Sequence, residues 1–217
     1  GIYHAPLIID EPQISRNKQG EVTLEVPEKG VAIFYTLDGS EPTNSASKYT
    51  SAFVIEQPTT LKAISFDPET KRQSDVVTKK FDIPKKLWKI TTLENFVVPE
   101  EAIDENELTD WTADKNTLSN YKINLGQPTT LSGFTYTPTQ GRWVSGIITH
   151  YSFYGSTDGK NWLKLSQGEF SNIIANPIEQ KITFSKPTNV QYIRLVADKI
   201  MDDKDKVLIA EIGIITE

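Results

Sequence analysis

The sequence predicts an all-β protein built from two β-sandwiches. Three observations carry this: short runs in which apolar and polar residues alternate, turn residues that punctuate those runs, and no long segment with helical periodicity. Twelve glycines and twelve prolines scattered between the runs fit the same class. A chain of 217 residues, 37% of them hydrophobic, has room for two modest cores.

In chain order, EVTLEV (21–26) places Val22, Leu24 and Val26 on one face of a strand. AIFYTL (32–37) follows as a second strand and ends at the hairpin signal Asp38-Gly39. TTLKAISF (59–66) and VVTKKF (76–81) complete a set of short strands that reads as a small sandwich. DIPKKLWK (82–89) then breaks the rhythm with Pro84 and two lysines, the composition of a linker. The pairs Lys79-Lys80 and Lys85-Lys86 read as solvated charge, and Trp88 as packing against the first strand of the next domain. The expected division is therefore 1–85 and 90–217.

In the second part the strands resume as YKINLG (121–126), TLSGFTYTP (130–138), THYSFYGS (149–156), QKITF (180–184), VQYIRLVA (190–197) and LIAEIGII (208–215). Tyr151 and Phe153 alternate with His150, Ser152 and Tyr154, Asp158-Gly159 signals a tight turn, and Trp162 opens the returning strand. His150 falls on the face opposite Tyr151 and reads as a structural residue. QPTTLKAISFDP (57–68) and QPTTLSGFTYTP (127–138) look alike for a dozen residues only. A proline suits a strand's first position, so a shared strand entry explains the likeness without a true repeat.

With 23 basic and 29 acidic residues the formal charge is −6, which argues against nucleic acid or an anionic membrane surface as partner. There is no cysteine, hence no disulfide framework. No apolar run approaches the length of a membrane span, so no membrane insertion is expected. The sequence opens at Gly1 without a signal peptide and reads as a fragment of a longer protein.

Two family resemblances attach to these motifs. HYSFYGSTDGKNW (150–162), with INLG (123–126), QYIRLVA (191–197) and AEIGI (210–214), resembles the discoidin or coagulation-factor C-type domains, whose bacterial members include family-32 carbohydrate-binding modules. The resemblance spans nearly all of 90–217 and implies a jelly roll that binds carbohydrate. IFYTLDGSEPT (33–43), Tyr49 and TLKAISF (60–66) resemble the fibronectin-III-like domain C-terminal to bacterial chitobiases and β-hexosaminidases, implying a spacer. Together they imply a non-catalytic accessory region of a secreted bacterial glycoside hydrolase, of the chitobiase, hexosaminidase or fucosidase kind. The implied partners are the terminal sugar of a complex oligosaccharide and the parent's catalytic domain. The implied location is extracellular, periplasmic or at the cell surface. The alternatives are a protein-binding or cell-surface module, or a spacer with no glycan affinity.

The same resemblance implies two sites. AIDENELTDW (102–111) matches the family's A-x-D-G-x-x-x-T-x-W loop, which in many members wraps a structural calcium ion. Calcium takes six to eight oxygens at roughly 2.3–2.6 Å, and Asp104, Asn106, Thr109 and the distant Glu211 are the implied ligands. The departure is Glu105 in place of glycine, which costs about 1 kcal/mol or more if the position needs a positive φ. The alternative is an acidic surface loop without metal. The second site is the loop TPTQGRWVSG (137–146), which contributes to the sugar site in carbohydrate-binding members. Trp143 would stack on the apolar face of a sugar and Arg142 would hydrogen-bond its hydroxyls, with Gln140 and Tyr136 completing the implied carbohydrate-binding set. The family's P-R-Q is Pro138-Thr139-Gln140 here, and its histidine before I-D-L-G is absent; the alternative is that Trp143 packs inward and Arg142 is solvated. No nucleophile motif, histidine pair or phosphate loop is present, so no catalytic constellation is expected.

Overall fold

The computed structural model describes residues 9–142, 145–203 and 205–217. Two compact units divide the chain, Gly1–Pro84 and Lys85–Glu217. Both are all-β sandwiches.

In the first unit, β1 (Gln13–Arg16), β2 (Glu21–Glu25) and β5 (Phe53–Val54) form one antiparallel sheet. The other contains β3 (Ala32–Thr36), β4 (Ser47–Lys48), β6 (Thr59–Asp67), β7 (Arg72–Gln73) and β8 (Val77–Phe81), ordered around β6. Alternation decides which face is covered. Val22 and Leu24 from the first sheet meet Ile33, Leu61, Ala63 and Phe81 from the second in one buried cluster. The ring of Tyr35 stacks on Phe53 with centroids 4.8 Å apart. Asp38-Gly39 does not close a two-residue hairpin: β3 pairs with β4 across a ten-residue connection, 37–46. The pair instead forms a local turn in which Asp38 Oδ1 accepts from the backbone N–H of Ser40 at 3.0 Å.

The second unit holds β9 (Lys89–Thr92), β10 (Trp111–Asp114), β11 (Tyr121–Pro138), β12 (Ile148–Ser156), β13 (Leu163–Glu169), β14 (Gln180–Ile200) and β15 (Lys206–Ile215). Their order is β10-β15-β11-β14-β12-β13, with β9 beside the start of β11. The segments YKINLG and TLSGFTYTP, expected as two strands, are one bent strand, and so are QKITF and VQYIRLVA. The reason is visible in the register. β11 and β14 slip between Asn124 and Thr129 and again between Leu131 and Gly133, and Pro128 and Pro187 both fall in these gaps. A proline inside a bulge removes no ladder hydrogen bond, so a turn-like sequence bends the strand without ending it. Gly126, with φ 85°, makes the first bend.

Bending lets β11 change partners, from β9 at 121–124 to β15 at 133–138, and folds the sheet over an aromatic core. Phe134 stacks on Phe153 at 4.1 Å, and Tyr151 on Phe170 at 4.4 Å. Phe134, Tyr136 and Phe153 are fully buried, each stabilising by about 1.5–3 kcal/mol relative to exposure. Trp88, just before β9, is buried as well.

Asp158-Gly159 lies in a six-residue connection, 157–162, between β12 and β13, longer than the expected tight turn. The Asp158 carboxylate organises this loop by accepting from the backbone N–H groups of Lys160 and Asn161, each at 2.8 Å. Gly159 supplies the positive φ of 73°, and an added Cβ would sit 3.2 Å from the Tyr192 ring. Trp162, one residue before β13, carries the Arg194 guanidinium 4.5 Å above its ring.

Candidate functional site

The loop before β10 begins with a single 3-10 turn, Glu101–Ile103. Ala102 and Ile103 are fully buried and fasten this turn to the core. The exposed polar residues that follow must then satisfy their backbone locally. Asp104 Oδ1 accepts from Asn106 N at 2.9 Å, Asn106 Oδ1 accepts from Leu108 N at 3.0 Å, and Thr109 Oγ1 donates to Asp104 Oδ2 at 2.5 Å. Asp104, Asn106 and Thr109 are thus brought together, bonded to one another and to the loop backbone.

Glu211 reaches the same loop from β15, where it is 7% exposed. Glu105 donates its N–H to both Glu211 carboxylate oxygens, 3.1 Å each. Lys85 Nζ donates to Glu211 Oε2 and lies 3.6 Å from Glu105 Oε2. Burial pushes the Glu211 carboxyl above the ordinary carboxylate range; the Lys85 ammonium pulls against it, while Glu105 and Asp104 push the same way as burial. Both oxygens receive donors, the Glu105 N–H at each and the Lys85 ammonium at Oε2, so the Glu211 carboxyl is held from the loop and from Lys85 together.

This donor set does not suit calcium. The oxygens of Asp104 are turned to an N–H and a hydroxyl, and those of Glu211 to an N–H and an ammonium, whereas the ion requires six to eight converging oxygens. Among the described residues no group of three or more His, Cys, Asp or Glu side chains is arranged to hold a metal. Lys85 is the residue the sequence reading missed: its neighbours Pro84 and Lys86 mark a linker, and nothing local indicates a buried ammonium.

The loop expected at the sugar-binding rim separates into different parts. Tyr136 is a correction: it is fully buried, its hydroxyl accepts from Ile148 N at 3.1 Å, and it cannot reach a ligand. Its place on the same strand face as Phe134 was the available signal. Gln140 is exposed, and its side-chain amide donates to Pro138 O at 2.8 Å and to Pro177 O at 2.9 Å, tying this loop to the one before β14. Arg142 is exposed, and Trp143 lies outside the described residues. Thr139, at the position of the family's arginine, is buried and donates to Asp110 Oδ2 at 2.7 Å. His150 lies beside Glu169, Nε2 to Oε2 3.6 Å, on the sheet and away from this loop's bonding.

A family model described as F5/8 type C domain matches residues 87–212, and one described as Fn3 associated matches residues 22–81. No curated protein matches the chain. Among solved structures, CBM32-3 from a family 31 glycoside hydrolase of Clostridium perfringens is 25% identical with a TM-score of 0.50, covering 61% of this chain and 93% of that one. A Clostridium perfringens CBM32 in complex with GalNAc-β-1,3-galactose is 24% identical with a TM-score of 0.47, covering 59% and 93%. The C-terminal domain of a chitobiase from Bacteroides fragilis is 23% identical with a TM-score of 0.45, covering 60% and 93%. With more than half of its length matched by the first model, the chain belongs to the F5/8 type C domain family, preceded by an Fn3-associated region.

Proposed function

We propose that this chain is a non-catalytic, carbohydrate-binding accessory region of a secreted bacterial glycoside hydrolase, working outside the cell, in the periplasm or at the cell surface. The observation that carries the reading is the likeness of the F5/8 type C unit to CBM32-3 of a family 31 glycoside hydrolase. In this reading the sugar meets the 137–146 loop, where Arg142 and Gln140 are exposed and Trp143 follows Arg142 in sequence. The first unit acts as a spacer toward the parent's catalytic domain. No helix among the described residues is long and apolar enough to cross a membrane.

One face of a sugar desolvated against a shallow rim supports only weak binding, with a dissociation constant on the order of millimolar, about 4 kcal/mol. A glycan array of the whole chain, followed by titration of the best hit, tests this. Arg142→Ala should abolish the retained signal while the chain still melts cooperatively. A chain that melts cooperatively yet retains no glycan sinks the proposal. The protein-binding reading then gains, favoured by Phe96 and Val97, which are 70% and 90% exposed.

A further inference from the structure

Lysine is among the residues least often buried, because its ammonium must leave water. Lys85, the first residue of the second unit, is nonetheless only 5% exposed. Its ammonium lies over the Trp88 ring, with Nζ 5.3 Å from the centroid. The ammonium then meets two carboxylates, Glu211 on the closing strand and Glu105 in the loop that begins at Ala102.

Glu105 adds an observation of a different kind. Its backbone lies in the left-handed region, φ 64°, where glycine would be free of strain. Glycine could make the same N–H contact with Glu211, but it could not place a carboxylate beside Lys85. A non-glycine residue held in this conformation, with its side chain on a buried ammonium, indicates that the side chain has a task there. Charge, burial and backbone conformation therefore converge on one point, to which three stretches distant in sequence contribute.

We propose that Lys85 is the built-in cation of this unit, with Glu211 and Glu105 as its counter-ions, and that it fastens the 102–110 loop to β15 without a divalent metal. The ammonium occupies Glu211 Oε2 and the Glu105 N–H faces both oxygens that a metal would need, while the lysine's charge repels an approaching divalent ion. Exchanging one for the other requires removing the lysine.

The test is thermal melting of the whole chain, followed by tryptophan fluorescence, in chelator and in millimolar calcium chloride. The wild type should melt identically in both, since an ion that binds the native state raises the midpoint and one that does not leaves it in place. A calcium-dependent rise in the wild type overturns the proposal, whatever the variants do. Lys85→Met keeps the apolar stem and strands two carboxylates; its midpoint should fall and, unlike the wild type, recover in part with calcium. A Lys85→Met chain that melts like the wild type also overturns it. Should that variant not fold, Lys85→Arg keeps the charge and should fold and remain indifferent to calcium; a calcium-dependent Lys85→Arg chain counts against the ammonium as the clamp. The double variant Lys85→Met with Glu211→Gln should lose less than the two single losses combined, and strict additivity would show that the two side chains are not a pair.

Discussion

Replacing Tyr121 by phenylalanine removes one oxygen atom, and its expected effect can be worked out from the strand ladder. The Tyr121 hydroxyl donates to Leu195 O and accepts from Leu195 N, both at 2.7 Å, inside a fully buried site. In an antiparallel ladder the N–H and C=O of one residue face the same neighbour. Those of Leu195 face away from β12 and toward β11, whose pairing with β14 starts at Ile123 opposite Ile193. The tyrosine hydroxyl therefore stands in for a rung that no strand supplies. Phenylalanine would keep the edge contact with Trp111, now 4.9 Å between centroids, so the packing loss is small. What remains is two stranded backbone groups at about 1–3 kcal/mol each, so Tyr121→Phe should cost about 2–5 kcal/mol after the recovered desolvation of the hydroxyl. That is a large share of the roughly 5–15 kcal/mol that holds a domain together. Urea unfolding followed by tryptophan fluorescence isolates the effect, because all four tryptophans lie in the second unit. A loss below about 0.5 kcal/mol would refute the reasoning, since it would mean that the rung is not needed. Unchanged hydrogen exchange at the Leu195 amide would refute it independently.

Gly159→Ala should lower the stability of the second unit by about 1–2 kcal/mol, because a positive φ penalises any Cβ, and the Tyr192 ring stands 3.2 Å from where it would go; equal urea midpoints would count against this. For Asp158, hydrogen bonds from Asn161 and Lys160 hold the carboxyl well below its ordinary value of 3.8. A depressed folded value contributes stability that is present above about pH 4 and lost as the pH falls through the folded value. Asp158→Asn should therefore unfold at lower urea than the wild type at neutral pH, with the gap narrowing below pH 3.8; a gap independent of pH would show that charge plays no part in that turn.

Period-two alternation was legible wherever one face of a strand is covered. Val22 and Leu24 of EVTLEV are 0% and 2% exposed, and Tyr151 and Phe153 point into the aromatic core. Turn residues were less informative, because their sequence signal is shared between ending a strand and bending it. Gly126 with Pro128, and Pro187 in the facing strand, fall between segments expected as separate strands, yet they sit in two successive register slips within β11 and β14. Only the partner strand's register distinguishes the two outcomes, and register is a tertiary property. The same division runs through the site. Asp104, Asn106 and Thr109 lie within six residues of one another, and their mutual bonding follows from local Asx-type geometry that a short motif can specify.

Lys85 lay beyond such reading because a lysine beside Pro84 has a solvated ammonium by default, and only burial against a particular carboxylate reverses that default. The carboxylate is 126 residues away. Glu105, by contrast, was visible as the one departure from its motif, and taken alone it signals strain. Set beside Lys85 it becomes a compensated change: the glycine's freedom is given up for a negative charge, which is of use only if a positive charge waits at 3.6 Å. A departure from a family motif is therefore best read as half of a pair, and the other half sought wherever the fold brings an opposite charge. For this chain that search leads out of the loop and across the whole second unit, to its first residue.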